Sequence, residues 1–175
     1  MKTYEQGSLE VKEAIANAVF AILKEKPIEA IKVGEVSEKA YVGRTTFYRY
    51  YGMKSGLEEA LYFALRRGWE KLGIEEKSPG CDEPFFLYLY TIRDRILLLQ
   101  KNHLENLVDR LVLSVYGPKE DDENYYFRYI GAGMWIGAVH AMMAHDFQDS
   151  PKQIRFQMML SFAKMAQENQ NKKAS

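Results

Sequence analysis

Apolar residues return every three or four positions along almost the whole chain, and no stretch alternates apolar and polar residues over the length of a strand. That pattern predicts an all-α fold. The first stripe, Val11, Ile15, Ala18, Val19, Ile22 and Leu23, follows Ser8, a residue type that caps helices, and stops at Lys26-Pro27; residues 1–7 are expected to fray. A short second stripe through Val33, Val36 and Ala40 breaks at Tyr41-Val42-Gly43, restarts over residues 44–50 and ends at Gly52. Two small helices on a tight turn have this spacing, so a helix-turn-helix is predicted. A fourth helix is expected over residues 54–72, with Leu57, Leu61, Ala64, Leu65, Gly68, Trp69 and Leu72 facing inward.

Residues 73–83, punctuated by Pro79-Gly80, read as a linker. The helical period then resumes. Phe85, Phe86, Leu89, Ile92, Ile96 and Leu99 predict one helix to residue 102, and Leu104, Leu107, Val108, Leu111, Val112 and Val115 predict another up to Gly117-Pro118. An acidic loop at residues 119–124 is read as a solvated connection rather than a metal site. Two long helices, residues 124–147 and 150–170, close the chain, with Pro151 suited to a first helical turn.

The penultimate helix is apolar on every side. Gly133, Gly137 and Ala141 lie four apart and make one face nearly flat, while Met134, Trp135, Ile136, Val139, Met142 and Met143 cover the rest. A helix apolar all round needs neighbours all round, and a body this small offers few, so a second subunit is expected to supply some of them. Packing within the monomer core is the other reading of the same residues.

Candidate chemistry concentrates in residues 39–54, which carry four positive residues (Lys39, Arg44, Arg49, Lys54) and no acidic one. The hydroxyls of Thr45, Thr46, Tyr48, Tyr50 and Tyr51 are interleaved among them. Phosphate oxygens favour this mixture: cations supply charge, and neutral hydroxyls supply directed donors that fix register. Arg44 and Thr45, at the start of the second small helix, are candidates to read bases, since arginine can bond guanine bidentately and a threonine methyl can meet a thymine methyl. Lys39 belongs to the same patch, and Arg49 suits either role. Phe47 is read as core.

Glu35-Val36, Ala40, Val42, Thr46-Phe47-Tyr48, Tyr50-Tyr51, Lys54 and Leu57, together with the Lys-Pro turn at Lys26-Pro27, resemble the DNA-binding domain of TetR-type transcriptional regulators. The resemblance covers about the first third of the chain. Three positions depart from it: Tyr41 stands for the family's turn glycine, Gly43 for its capping serine, and Met53 for a polar residue.

The resemblance implies a DNA-binding head over residues 1–53 and a helical effector and dimerisation body over residues 54–175. It implies that Thr46, Tyr48, Tyr50 and Lys54 contact or lie against phosphates, and that Tyr51 is buried. It implies a homodimer that binds a palindromic double-stranded operator and joins through its last two helices, with Gly133, Gly137, Ala141, Met158 and Phe162 at the interface. It also implies a small effector in the body. Trp69, Phe86, Tyr88, Tyr90, His103, Tyr126, Trp135 and His140 are the candidates to line its pocket, and ordinary aromatic packing accounts for them equally.

Composition narrows the alternatives. Lysine plus arginine and aspartate plus glutamate number 24 each, so any role with nucleic acid rests on a local patch rather than on overall charge. The single cysteine, Cys81, has no internal disulfide partner, which suits a reducing, cytoplasmic setting. Residues 129–145 are uncharged but short and rich in glycine, a poor membrane span. His140 and His145 do not share a helical face, and no phosphate loop or nucleophile motif occurs, so neither an enzyme, a metal site nor a cofactor is expected. The remaining alternative is an adaptor that keeps the regulator fold and binds a protein.

Overall fold

The computed structural model describes residues 4–73, 83–120 and 122–173, and among them it contains helices, turns and no strand. In chain order the helices are α1 (Tyr4–Leu23), α2 (Val33–Lys39), α3 (Arg44–Tyr51), α4 (Gly56–Glu70) and α5 (Glu83–Thr91). They continue as α6 (Arg93–Lys101), α7 (Asn106–Tyr116), α8 (Tyr125–Ala144) and α9 (Pro151–Lys173), and a 3-10 turn at Ile28–Ala30 precedes α2. The all-α reading therefore holds. Most of the expected linker, Cys81 included, lies outside the described residues.

The chain forms two compact units: Met1–Glu75 with Asp94–Val115, and Glu76–Arg93 with Tyr116–Ser175. They cut the chain differently from the functional division expected at residues 53 and 54, because α4, α6 and α7 share a core with α1 to α3. In this first unit α1 buries Ile15, Ala16, Val19, Phe20, Ile22 and Leu23 and packs against α2 and α4. Ala60, Leu61, Leu65 and Trp69 line the inner side of α4, and Ile96, Leu99, Leu107, Val108, Leu111 and Val112 come from α6 and α7.

Polar straps then fix how these helices lie. Glu13 on α1 accepts from Arg67 at 3.2 Å and Lys71 at 2.7 Å, and Arg95 on α6 donates to Asn17 at 3.0 Å. Arg110 on α7 grips both carboxylate oxygens of Glu59, at 2.9 and 3.0 Å, with its guanidinium over the Tyr62 ring. All are partly exposed, so each is worth under about 1 kcal/mol and orients more than it stabilises.

Three helix boundaries differ from expectation. α1 begins at Tyr4, so Ser8 is an interior residue and not a cap; its hydroxyl bonds Tyr50 instead. α4 begins only at Gly56, because Gly52 (φ +73°) and Ser55 (φ +56°) take up left-handed conformations ahead of it, and it ends at Glu70, with Leu72 half exposed. The single helix expected over residues 83–102 is two, α5 and α6, parted at Ile92. The Thr91 hydroxyl donates to the Tyr88 carbonyl at 2.6 Å, competing with the helical ladder, and the Ile92 N–H divides between Tyr88 and Leu89.

The second unit has an aromatic core. Tyr116 stacks on Trp135 at 5.0 Å, Phe85 meets Tyr116 edge-on at 5.1 Å, and Phe86 leans on Trp135 at 4.8 Å. Leu89, Ala132, Val139, Met142 and Met143 complete it. Among the described residues no helix is long and apolar enough to cross a membrane.

Gly56 is where α4 presses on α3: a Cβ there would lie 3.0 Å from Phe47 Cε1 and 3.2 Å from the Tyr51 carbonyl. Gly56→Ala is expected to lower stability by about 1–2 kcal/mol, despite the better helix propensity of alanine. Urea denaturation checks this, and a midpoint at or above that of the wild type would show that the two helices are not in tight contact.

Candidate nucleic-acid interface

With eight residues, α3 has about two turns, so its side chains fall into four pairs one turn apart: Arg44 and Tyr48, Thr45 and Arg49, Thr46 and Tyr50, Phe47 and Tyr51. The last pair is the anchor. Phe47 and Tyr51 are 1% and 8% exposed, their rings are 5.8 Å apart, and the Tyr51 hydroxyl donates to the Lys12 carbonyl at 2.9 Å. Burial, with Glu13 nearby, raises the Tyr51 phenol above its ordinary value and keeps it a neutral donor. The pair on the far side, Thr45 and Arg49, is exposed, as are Arg44 and Tyr48, while Thr46 and Tyr50 are half-buried.

The turn before α3 closes α2 with two bonds: the Val42 N–H donates to the Ser37 carbonyl at 2.9 Å and the Tyr41 N–H to the Glu38 carbonyl at 3.1 Å. This is the pattern that places a left-handed residue just after a helix, usually glycine. Here that residue is Tyr41, at φ +55°. The turn thus keeps its ordinary shape at a cost of about 1–2 kcal/mol. Gly43 then caps α3 in extended conformation, with no side-chain bond.

At the other end of α2, the Glu35 carboxylate accepts from Lys26 Nζ at 2.6 Å and from the Lys32 N–H at 3.1 Å. These bonds, Lys26 first, hold the Glu35 carboxyl below its ordinary value of 4.5. Gly34 lies under Arg44: a Cβ at residue 34 would sit 2.7 Å from Arg44 Nη2, so glycine lets the guanidinium cross the backbone of α2.

Lys39, Arg44, Arg49 and Lys54 are all exposed. Arg49 folds over the Tyr50 ring at 4.8 Å and donates to its hydroxyl at 3.3 Å, and the bond to Ser8, then Arg49, lowers the Tyr50 phenol from its usual value. Lys54 was expected to open α4, yet it stands before the Ser55 cap. The first turn of α4 also holds Glu58 and Glu59, so its positive end is not bare.

The effector candidates separate by unit and by burial. Trp69 is core and His103 exposed in the first unit. In the second, Phe86, Tyr88 and Trp135 are buried, Tyr90 is half-buried with its ring against Phe147 at 5.4 Å, and Tyr126 and His140 face solvent. The sequence reading missed a cleft of about 600 Å³ between α8 and α9, lined by Met134, Ala138, Met142, Ile154 and Met158, with the bonded pair His145 and Asp149 beside them.

The expected interface residues lie on an open face. Gly133, Gly137 and Ala141 are exposed, and a Cβ at either glycine would meet nothing within 4 Å. Tyr126, Phe127, Ile130 and Met134 on α8 and Phe156, Met159 and Leu160 on α9 are exposed too, with Met158 half-buried; the side chain of Phe162 lies outside those described.

The Glu35 bonds give a pH dependence. Its carboxyl is held low in the fold, so its contribution is full above the unfolded value near 4.5 and is lost as pH falls through the lower folded value. Glu35→Gln is expected to be less stable than wild type at neutral pH and to converge with it once the pH lies below the lowered carboxyl value. Urea midpoints at both pH values check this; a constant gap would mean that the carboxylate charge is not what holds α2.

Compared with known proteins, the chain matches no family model and no curated protein sequence.

Proposed function

We propose that this chain is a sequence-specific, double-stranded-DNA-binding transcriptional regulator of the TetR type, acting as a homodimer through a helix-turn-helix made by α2 and α3. One observation carries the reading: residues 39–54 expose all four of their cations and include no acid, and at their centre is α3, anchored from behind by Phe47 and Tyr51. Thr45 and Arg49, on the outermost side of α3, point where a major groove would receive it, with Arg44 alongside as a base reader. Tyr48, Thr46, Tyr50, Lys39 and Lys54 flank that line and suit phosphate oxygens.

A single head of this size makes few base contacts, so specificity needs two heads on one symmetric frame. The open apolar face of α8 and α9 supports self-association, since an exposed surface of that extent is costly in water and the glycines allow close helix approach. An effector in the cleft between α8 and α9 would sit on that same face and would shift the dimer's geometry by its differential affinity for two arrangements. The adaptor reading is favoured by Met53, 88% exposed beside the patch where a DNA contact would be polar.

Selection of bound fragments from the source genome, followed by fluorescence anisotropy over a range of salt, tests the proposal. Lys54→Ala is expected to weaken binding to every sequence and to flatten the salt slope by about one unit, while Arg44→Ala relaxes preference at one base position. Equal loss of discrimination in both variants would overturn these assignments. Gly137→Leu places a side chain in open space, so it is expected to leave the helical content intact and to split the dimer in sedimentation velocity. An unchanged sedimentation profile would remove this face from the interface.

A further inference from the structure

Five non-glycine residues among those described have left-handed backbones: Tyr41, Ser55, His103, Asp146 and Phe147. Serine, histidine and aspartate are short or polar types that tolerate the conformation, so the two bulky aromatics are the anomalies. Phe147 has a visible compensation: it is 4% exposed and packs edge-on against Tyr90. Tyr41 has none, because its side chain is 96% exposed and left in solvent. The Tyr41 backbone closes α2, but a bulky side chain kept at a strained position without contacts of its own points to a contact outside the fold.

We infer that Tyr41 is a further nucleic-acid contact, its ring lying against the sugar-phosphate edge of the duplex that receives α3. The inference rests on the regulator reading and extends it to a residue outside the cationic set. Tyr41 sits two residues after Lys39 and three before Arg44, within the acid-free stretch, so the strand that those cations attract passes the turn. A phenol suits such an edge: the flat apolar ring covers deoxyribose, and the hydroxyl donates to a phosphate oxygen. Neither interaction reads sequence, and a neutral side chain displaces no counterion. A protein surface would also take an exposed tyrosine, but Lys39 and Arg44 close by in sequence, against the single acid Glu38, favour a polyanion.

The test compares the full-length wild type with Tyr41→Gly and Tyr41→Asn, whose new residues accept the left-handed backbone, on one fluorescent duplex recovered by selection and on scrambled versions of it. Both variants are expected to melt no lower than wild type. Both should bind about fivefold to tenfold more weakly at every sequence, with the salt slope unchanged. Wild-type affinity in the two variants would overturn the inference and hand Tyr41 to the adaptor reading. A salt slope flattened by about a unit would overturn it as well, since the loss would then come from a displaced cation. If the wild type itself binds no duplex in dilute salt, the regulator reading fails first and this contact falls with it.

Discussion

An eight-residue helix does not persist in water alone, because the cost of nucleating it exceeds what two turns of hydrogen bonds return. α3 exists because Phe47 and Tyr51 are pressed into α1 and α4 and because the Tyr51 hydroxyl fixes its position along α1. Gly56 is small enough to let α4 start against the Phe47 ring. With those two side chains holding the element, Arg44, Thr45, Tyr48 and Arg49 are left exposed, while Thr46 and Tyr50 stay half-buried. Their chemistry, cations and hydroxyls without a carboxylate, is then free to be set by what lies outside the molecule.

The second unit reverses that arrangement. In α8 the residues that hold the fold, Ala132, Trp135, Val139 and Met142, occupy one side, and the side left open is apolar rather than charged. Tyr126, Phe127, Ile130 and the two glycines cannot be explained by solvation, and a neutral chain has little charge repulsion to keep such faces apart. The molecule therefore presents two surfaces of opposite character, one suited to a polyanion and one to another apolar surface.

Much of this was legible in the sequence, and what was missed has physical reasons. Spacing located every long helix, and Gly52, Gly117-Pro118 and Pro151 marked real ends and starts, because backbone constraints at glycine and proline act locally. Phe47 was read as core and Tyr51 as buried by the resemblance, and both side chains are buried. The break at Ile92 was not legible, since it depends on a hydroxyl at Thr91 that usually faces away from the ladder without harm. Nor was the turn: sequence shows a tyrosine where glycine is expected, but only the two bonds after Ser37 and Glu38 show that the strained backbone is kept. The aromatic residues named for an effector include core positions such as Trp69, Phe86 and Trp135, because aromatic spacing marks the core, whereas the cleft between α8 and α9 is lined largely by methionine, aliphatic and amide side chains.

Overall neutrality and a DNA role are compatible because of how the charges are paired. Lys26, Arg66, Arg67, Lys71, Arg110 and Arg128 each lie against a carboxylate, so many of the cations are offset where they stand. Among the described residues Lys39, Arg44, Arg49 and Lys54 have no carboxylate partner, and Arg49 is held only by a phenol. They are therefore not tied up in direct ion pairs, and their field is largely screened beyond about 10 Å in ordinary salt. Such a protein would feel a duplex only on close approach, gaining little from long-range steering, and would depend on shape and directed hydrogen bonds once there. Neutral donors such as Thr45, Thr46, Tyr48 and Tyr41 then matter as much as the cations, which is why the strained tyrosine is more than an oddity of the turn.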